Sequence, residues 1–328
     1  MYYLELRRVV IDKTRGEIME LSISLMKQIA AMFLMIIVGY ILIRKKICNI
    51  SDSKILSTLV LFVSGPCAII NAFTIELTAD KVKGFVLAVF AAIIVHIVYI
   101  FISYILEKIF KFNTIEKASV IYSNCGNLII PLVQLVLGQE MVFYASAYLI
   151  VQTILIWTHC KFIISEDRNF DIKKILFNIN ILAIFVGIII FIGQVNLPIP
   201  VQSAMNSMGN LMGPLSMFVI GMLLANMNLK EVCMQKRAYM ISFFRLIFLP
   251  GIVLLIFIFS GMTRLIKGAD EIMLISFLAA CAPSASSVTQ FAQIYDNNPG
   301  MASVINALSV ILCIITMPFM IMMYNLMV

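Results

Sequence analysis

The sequence has few charged residues, and none of its carboxylates lies inside a long apolar segment. Charged residues make up 12% of the 328 residues, about half the share found in an ordinary soluble domain. All 17 aspartates and glutamates fall in loops or at the ends of apolar segments. Hydrophobic residues reach 62%, and the mean hydropathy is +1.03. This composition indicates an integral membrane protein whose interior lacks acidic groups.

The missing carboxylates exclude several classes of function. Charges inside a bilayer are costly and usually mark ion pathways. Their absence argues against a carboxylate proton relay, a carboxylate-built cation site, an intramembrane aspartyl protease and a carboxylate-bridged metal enzyme. His96, midway along the third apolar segment, is the one group placed at depth for proton coupling, although a neutral core histidine is the favoured interpretation. Catalysis needs a positioned acid, base or nucleophile pair, so we predict no enzyme and no catalytic residue.

The cysteines and basic residues do not indicate a metal, cofactor or nucleic-acid site. The seven cysteines contain no CxxC pair, and most fall in apolar segments, where cysteine serves as a small buried hydrophobe. They are Cys48, Cys67, Cys125, Cys160, Cys233, Cys281 and Cys313. The net charge of +7 comes from lysines and arginines clustered in loops, as orientation signals are.

Apolar windows of membrane-spanning length predict ten transmembrane helices. They lie at 26–43, 55–73, 85–106, 118–138, 142–164, 179–193, 201–226, 240–260, 271–294 and 302–324. The polar segment 165–178 divides them into repeat 1 at 26–164 and repeat 2 at 179–328. Five helices in each half would invert the second half relative to the first. Residues 1–25 are charged throughout, with Met19 as an alternative start beside Met26, and are excluded from the fold as a tail.

The basic residues predict the orientation. If both termini lie outside, 15 of the 24 lysines and arginines fall on the inner side, and five of the other nine lie within the first 27 residues. The positive-inside rule therefore predicts a multi-pass cell-membrane protein with 165–178 as a cytoplasmic linker. Arg245, near the inner end of the eighth span, is expected to extend to the membrane interface rather than bind substrate.

The fourth and ninth apolar segments differ from plain membrane anchors. Ala118–Gly138 carries Ser123, Asn124, Gly126 and Asn127 before Pro131, and Ala279–Tyr295 carries Pro283 followed by Ser284, Ser286 and Ser287. Glycine, proline and asparagine disturb helical hydrogen bonding, so both helices are predicted to break. Paired breaks at corresponding positions in the two halves of a membrane protein indicate a transporter site. Free helix N-termini hold anions without a formal charge, and a carboxylate is the expected guest.

A second pair of helix breakers supports the repeat. Ser64, Gly65 and Pro66 lie in the second span, and Gly213 and Pro214 lie in the seventh. Each pair is five spans apart, as is the pair formed by Pro131 and Pro283. A single proline in a membrane helix is usually a tolerated kink, but two matched pairs favour an inverted repeat around a central site.

Four segments together resemble one known family of transporters. They are SNCGNLIIPL in the fourth span, VQTILIWTHCKFIISEDR in the fifth, MGNLMGPLSMFVIGMLLA in the seventh and APSASSVTQFAQIYDNNP in the ninth. In this order they resemble the auxin efflux carrier family, which includes the plant PIN-formed proteins and bacterial permeases described for malate and malonate. The resemblance covers roughly residues 26–325. It implies an all-α fold of ten helices in a 5+5 inverted repeat, with broken helices four and nine crossing, and a homodimer through the second and seventh helices of a scaffold.

The resemblance also implies roles for individual residues. Asn124 matches a substrate-facing asparagine, Gln152 matches a glutamine of the fifth helix, and Pro283 matches the crossing point. Ser123 and Val288 stand where plant carriers have prolines, which weakens the case for auxin itself. The short linker is similar to bacterial members, which implies a bacterial cytoplasmic membrane.

Taken together, the residues and the resemblance predict a secondary transporter of small organic anions such as malate, malonate or auxin-like acids, working by alternating access. The candidate substrate-binding residues are Asn124, Gly126, Asn127, Gln152, Ser284, Ser286 and Ser287, with Pro131 and Pro283 as helix-breaking residues. The same polar residues serve as helix caps or interhelical hydrogen bonds in the structural alternative. Two other functions stay open: a sodium-coupled symporter of the bile-acid type and a non-transporting receptor. No cofactor is predicted, and coupling to Na⁺ or H⁺ is left open.

Overall fold

The computed structural model describes residues 27, 30–165 and 176–328, and all regular secondary structure in these residues is helical. We number the helices in chain order. They are α1 Ala30–Arg44, α2 Asp52–Ala72, α3 Ala79–Phe110, α4 Thr114–Ile121, α5 Cys125–Val136, α6 Gln139–Ser165, α7 Ile179–Gly193, α8 Ile199–Ala225, α9 Leu229–Met234, α10 Lys236–Phe259, α11 Ala269–Cys281, α12 Ser286–Ile294 and α13 Pro299–Met327. The predicted tail at 1–25 and most of the predicted linker at 165–178 lie outside the described residues.

Six of these helices are long and apolar enough to cross a membrane: α2, α3, α6, α8, α10 and α13. Three shorter apolar helices, α1, α5 and α7, accompany them. The apolar windows of the sequence set these lengths, because a span of about 20 apolar residues covers the hydrocarbon core. The predicted all-α membrane fold is confirmed, and the ten-helix inverted repeat stays a prediction.

Three prolines are accommodated inside helices by a wider turn. In each case a π-helical turn of five residues ends two residues before the proline. The turns are Val60–Ser64 before Pro66, Cys125–Ile129 before Pro131 and Phe244–Phe248 before Pro250. Proline has no N–H and its ring crowds the carbonyl one turn earlier, so a wider turn lets the helix continue with a bend.

The fourth apolar segment breaks as predicted, but not at Pro131. Helix α4 ends at Ile121, and Tyr122 is extended with φ −97° and ψ 132°. Helix α5 then begins at Cys125. Pro131 lies inside α5, in the first turn of its regular α-helical part, where a missing N–H costs least. The break is therefore made by Tyr122, Ser123 and Asn124, several residues before the proline.

The ninth segment breaks where its proline predicts. Helix α11 ends at Cys281, and Ala282 is extended with φ −67° and ψ 153°. Ala285 is also extended, with φ −64° and ψ 134°, before α12 begins at Ser286. Pro283 lies between these two residues, and a proline disfavours helical backbone at the residue before it, here Ala282.

Candidate functional site

The two breaks are joined by backbone hydrogen bonds. The Asn124 N–H donates to the Pro283 carbonyl at 2.8 Å, and the Ala285 N–H donates to the Tyr122 carbonyl at 2.9 Å. Ser123 and Ser284 thus pair as an isolated antiparallel bridge. Backbone groups that leave a helix inside a membrane need protein partners. Each break supplies partners for the other.

One side chain of α6 holds the first break. The Gln152 side-chain oxygen accepts from the Ser123 N–H at 3.2 Å and from the Ser123 hydroxyl at 2.6 Å. The Gln152 amide donates to the Ser123 carbonyl at 2.7 Å and to the Cys125 sulfur at 3.1 Å. A single amide therefore satisfies both backbone groups of Ser123, which is itself buried.

Two side chains of α13 hold the second break. The Asn306 amide donates to the Ser284 carbonyl at 2.7 Å, and the Ser284 N–H donates to the Ser309 hydroxyl at 3.1 Å. Ser309 in turn donates to the Asn306 carbonyl at 2.8 Å. Asn306 and Ser309 of α13 thus bind the two backbone groups of Ser284, as Gln152 of α6 alone binds those of Ser123.

Arg245 does not extend to the membrane interface as expected. It is 0% exposed, and its guanidinium donates to backbone carbonyls on both sides of the paired breaks, among them Ala282 at 2.8 Å and Val120 at 3.1 Å. The expectation was wrong because it considered only the distance of Arg245 from the helix end. Carbonyls at the breaks offer the buried guanidinium several hydrogen-bond acceptors, which that expectation did not consider.

A cavity of about 460 Å³ opens beside the paired breaks. Its polar wall comes from both breaks and from the helices around them. The polar lining residues are Ser57, Ser123, Asn124, Asn127, Gln152, Thr153, Asn178, Asn180, Ser216, Ser286, Ser287, Gln290 and Asn306. The described lining includes no Asp, Glu, Lys, Arg or His. Amides and hydroxyls are therefore the polar groups that a guest would meet.

Two helix N-termini meet at this cavity. Helix α5 begins at Cys125 and α12 begins at Ser286, and the Asn127 amide donates to the Ser286 hydroxyl at 3.3 Å across the gap. The first amides of a helix have no acceptor within it, and the helix dipole makes this end positive. Gly126 has no side chain to cover the start of α5. A Cβ added there would lie 3.6 Å from the Leu149 side chain.

The predicted binding residues fall mostly on this cavity. Asn124, Gly126, Asn127, Gln152, Ser286 and Ser287 line it. Ser284 does not: it is 1% exposed and its backbone is held by α13. Pro131 and Pro283 are also outside the lining. The Pro283 carbonyl instead accepts the hydrogen bond from Asn124 that joins the two breaks. The structure thus brings six of the seven residues to one wall, and their part in binding stays a prediction.

Several cavity residues were not predicted. Asn306, Asn180 and Gln290 are polar groups of the wall, and Trp157 forms part of it with its ring 5.3 Å from that of Phe291. The available signal was a polar residue within or next to an apolar window, as for Asn306 in the tenth span. That signal does not reveal the partner, because Ser284 is 22 residues away along the chain.

His96 lies away from the cavity wall. It is buried, its Nδ1 donates to the Ala92 carbonyl at 2.7 Å, and its ring lies 4.8 Å from that of Tyr148. This is the hydrogen-bonded core environment that the sequence favoured. Among the residues the structure describes, no group of three or more His, Cys, Asp or Glu is placed to hold a metal ion.

The cavity lining extends toward one side of the molecule. Lining residues continue to Ser57 near the start of α2, Asn178 before α7 and Met227 after α8. Further along α2 and in the middle of α8, the Gln139 amide donates to the Ala68 carbonyl at 2.7 Å and the Gln134 amide donates to Asn210 at 3.2 Å. Ser57, Asn178 and Met227 lie next to loops that the positive-inside rule predicts to be cytoplasmic.

Comparison with known proteins places the chain in a family. A family model described as "Membrane transport protein" matches residues 24–171 and again residues 166–321. A search of curated proteins found no match. The two matches cover nearly the whole chain, one in each predicted half, and agree with the membrane-spanning helices described above. The chain is therefore a multi-pass membrane protein that belongs to the membrane transport protein family of the auxin efflux carriers.

Proposed function

We propose that this transporter carries small organic anions, most of all mono- and dicarboxylates such as malate and malonate, through the cavity at the paired breaks. The observation that carries this proposal is a cavity free of carboxylates into which two positive helix N-termini open. Such ends bind anions through backbone amides and the helix dipole. A volume of about 460 Å³ is within the range of small-molecule sites.

The substrate carboxylate in this proposal meets three kinds of donor. The starts of α5 and α12 supply backbone amides, Asn124 and Asn127 supply side-chain amides, and Ser286 and Ser287 supply hydroxyls. A second carboxylate or a hydroxyl group of the substrate would meet Asn306, Asn180 or Gln290 across the cavity. The described part of the lining holds no charged side chain, which favours small anions held by several neutral donors over anions held by one salt bridge.

We assign transport to alternating access, with the present arrangement open to the cytoplasmic side. In this proposal the broken helices move as a unit relative to a scaffold of α1, α2, α7 and α8, and the scaffold pairs with a second copy in a homodimer. The contacts of Gln134 and Gln139 would open on the outward swing. The ten spans would form a 5+5 inverted repeat with α4–α5 and α11–α12 crossing at their breaks, and both termini would lie outside.

Uptake into proteoliposomes tests the substrate class. Labelled malate, malonate and indole-acetate are supplied to purified protein, and we expect saturable flux of at least one of them that unlabelled dicarboxylate competes away. Absence of saturable flux with every carboxylate would reject the substrate class. Saturable binding without flux would identify the non-transporting receptor instead.

Asn124→Ala tests the site within that assay. The N–H of residue 124 continues to bond to Pro283, so the pairing of the breaks is kept while the side-chain amide is lost from the cavity. We expect at least a tenfold fall in kcat/KM, or about 1.4 kcal/mol, with expression and oligomeric state unchanged. The control is Asn206→Ala, an exposed asparagine of α8 outside the cavity lining. Wild-type flux in Asn124→Ala would remove this residue from the site.

A further inference from the structure

Arg245 is a buried cation whose hydrogen bonds go to backbone carbonyls. Its Nε donates to the Ala282 carbonyl at 2.8 Å, and its Nη1 donates to Val120 and Ile121 carbonyls at 3.1 and 3.3 Å. Its Nη2 reaches the Ala279 carbonyl at 3.5 Å. The guanidinium carbon also lies 5.1 Å from the centre of the Tyr99 ring, a distance at which an aromatic face attracts a cation.

These carbonyls lie at the C-terminal ends of the two helices that stop at the breaks. Val120 and Ile121 end α4, and Ala279 and Ala282 lie at the end of α11. The last carbonyls of a helix lack partners within it, and the helix dipole makes this end negative. The negative C-terminal ends of α4 and α11 therefore both contact the Arg245 guanidinium, which thus links the two breaks.

No carboxylate balances this charge in the part of the chain that the structure describes. The hydrogen-bond acceptors of the Arg245 guanidinium are backbone carbonyls, whereas the nearby basic residue Arg237 pairs with Glu116 at 2.6 Å. A buried charge is tolerated only where polar groups or an opposite charge compensate it. Arg245 and its acceptors do not line the cavity, but the next residues of both breaks, Ser123 and Ala285, do. An anion bound there would add to the compensation that the carbonyls provide.

In carriers built on broken helices, carbonyls at the ends of half-helices are ligands for a coupling Na⁺. Here a covalently attached cation already occupies such carbonyls. We propose that Arg245 is the resident cation of the paired breaks: a positioning residue that takes the place of a coupling Na⁺ and supplies the positive charge behind the anion site. This inference rests on the proposed function, and it predicts that anion transport needs no Na⁺.

The first test replaces Na⁺ by choline at constant ionic strength in the uptake assay. We expect equal initial rates of carboxylate uptake by the wild type in the two salts. Uptake that depends on a Na⁺ gradient would overturn the proposal and favour the sodium-coupled alternative. If no carboxylate is taken up in either salt, the proposed substrate class fails, and the proposal for Arg245 is decided by the unfolding experiment below, which needs no substrate.

The variants separate charge from structure. Arg245→Lys keeps the positive charge and is expected to retain Na⁺-independent uptake, whereas Arg245→Met keeps much of the length and should lose at least about tenfold in kcat/KM. The control is Lys236→Met, which removes an exposed charge at the start of the same helix and should leave uptake unchanged. Equal kcat/KM for Arg245→Met and the wild type would overturn the proposal.

Thermal unfolding of the purified protein tests whether a free cation binds the carbonyls that lose their partner in Arg245→Met. A ligand that binds only the folded state raises its stability. We expect guanidinium or Na⁺, compared with choline at low millimolar concentration, to raise the Tm of Arg245→Met and to leave the wild type and Arg245→Lys unchanged. A merely structural arginine would leave a space that guanidinium can refill but Na⁺ cannot, so a Tm of Arg245→Met that Na⁺ leaves unchanged would contradict the proposal. If Arg245→Met does not fold, a Na⁺-induced rise in the Tm of the wild type or Arg245→Lys would overturn it.

Discussion

The two breaks do the same work with different chemistry. At the first, one glutamine of α6 satisfies the N–H, the carbonyl and the hydroxyl of Ser123. At the second, the Ser284 carbonyl is bound by Asn306 and its N–H by Ser309. The two backbone groups of Ser123 therefore depend on one side chain, whereas those of Ser284 are divided between two. The comparison predicts that single substitutions act most strongly at the first break.

Gln152→Leu should have the largest effect. It leaves the backbone N–H and carbonyl of Ser123 without their side-chain partner, and a buried polar group left unpaired costs about 1–3 kcal/mol. We expect uptake to fall to less than about a tenth and the Tm to drop. The assays are proteoliposome flux and thermal unfolding.

The matched control for this change is Gln202→Leu, at an exposed position of α8 outside the cavity lining. It should leave both flux and Tm near the wild type. If Gln152→Leu costs no more than its control, the claim that one side chain holds the first break is wrong.

Asn306→Leu should be the next most harmful change. It frees the Ser284 carbonyl while Ser309 still accepts from the Ser284 N–H, so one backbone group loses its partner and the cost is about 1–3 kcal/mol. Because Asn306 also lines the cavity, we expect a raised KM as well. A loss of stability larger than that of Gln152→Leu in the same unfolding assay would reverse the comparison.

Ser309→Ala should destabilise the protein less than either change, by about 1 kcal/mol, because the small alanine leaves room for water to bind the Ser284 N–H. The double variant Ser309→Ala, Asn306→Leu then measures how the two residues share the second break. Since both side chains bind backbone groups of Ser284, their effects on the free energy of unfolding should not add. Strict additivity would show that they act independently.

Asn127→Ala should be the mildest for stability. Its hydrogen bond to Ser286 is 3.3 Å long and exposed to the cavity, so water replaces the partner and the expected loss is below about 1 kcal/mol. The effect should appear in KM for a carboxylate rather than in Tm. A Tm shift as large as that of Asn306→Leu would show that this contact joins the breaks structurally.

The sequence predicted both breaks because apolar segments show their own interruptions. Glycine, asparagine, serine and proline within a membrane window are visible without any knowledge of partners, and five of the six binding residues chosen on that basis line one cavity. Gln152, which the family resemblance indicated, lines it too. The placement of the first break was missed because Pro131 is the strongest breaker by type. The π-helical turn before it absorbs the proline, and the chain opens where the second break can pair with it.

The groups that hold the breaks were not predictable in the same way. Arg245, Asn306 and Ser309 act on backbone atoms that are distant in sequence: the Arg245 acceptors lie 34 to 125 residues away. A rule based on the position of Arg245 near a helix end predicts an extended side chain. Only the tertiary arrangement shows that free carbonyls lie within its reach.

The most direct test of the central claim is a density map of the protein in lipid nanodiscs with saturating malonate. The account predicts that α4–α5 and α11–α12 are interrupted at Tyr122–Asn124 and Ala282–Ala285, with the ligand against the first amides of α5 and α12. Continuous helices through both segments, or a ligand bound away from these amides, would contradict it.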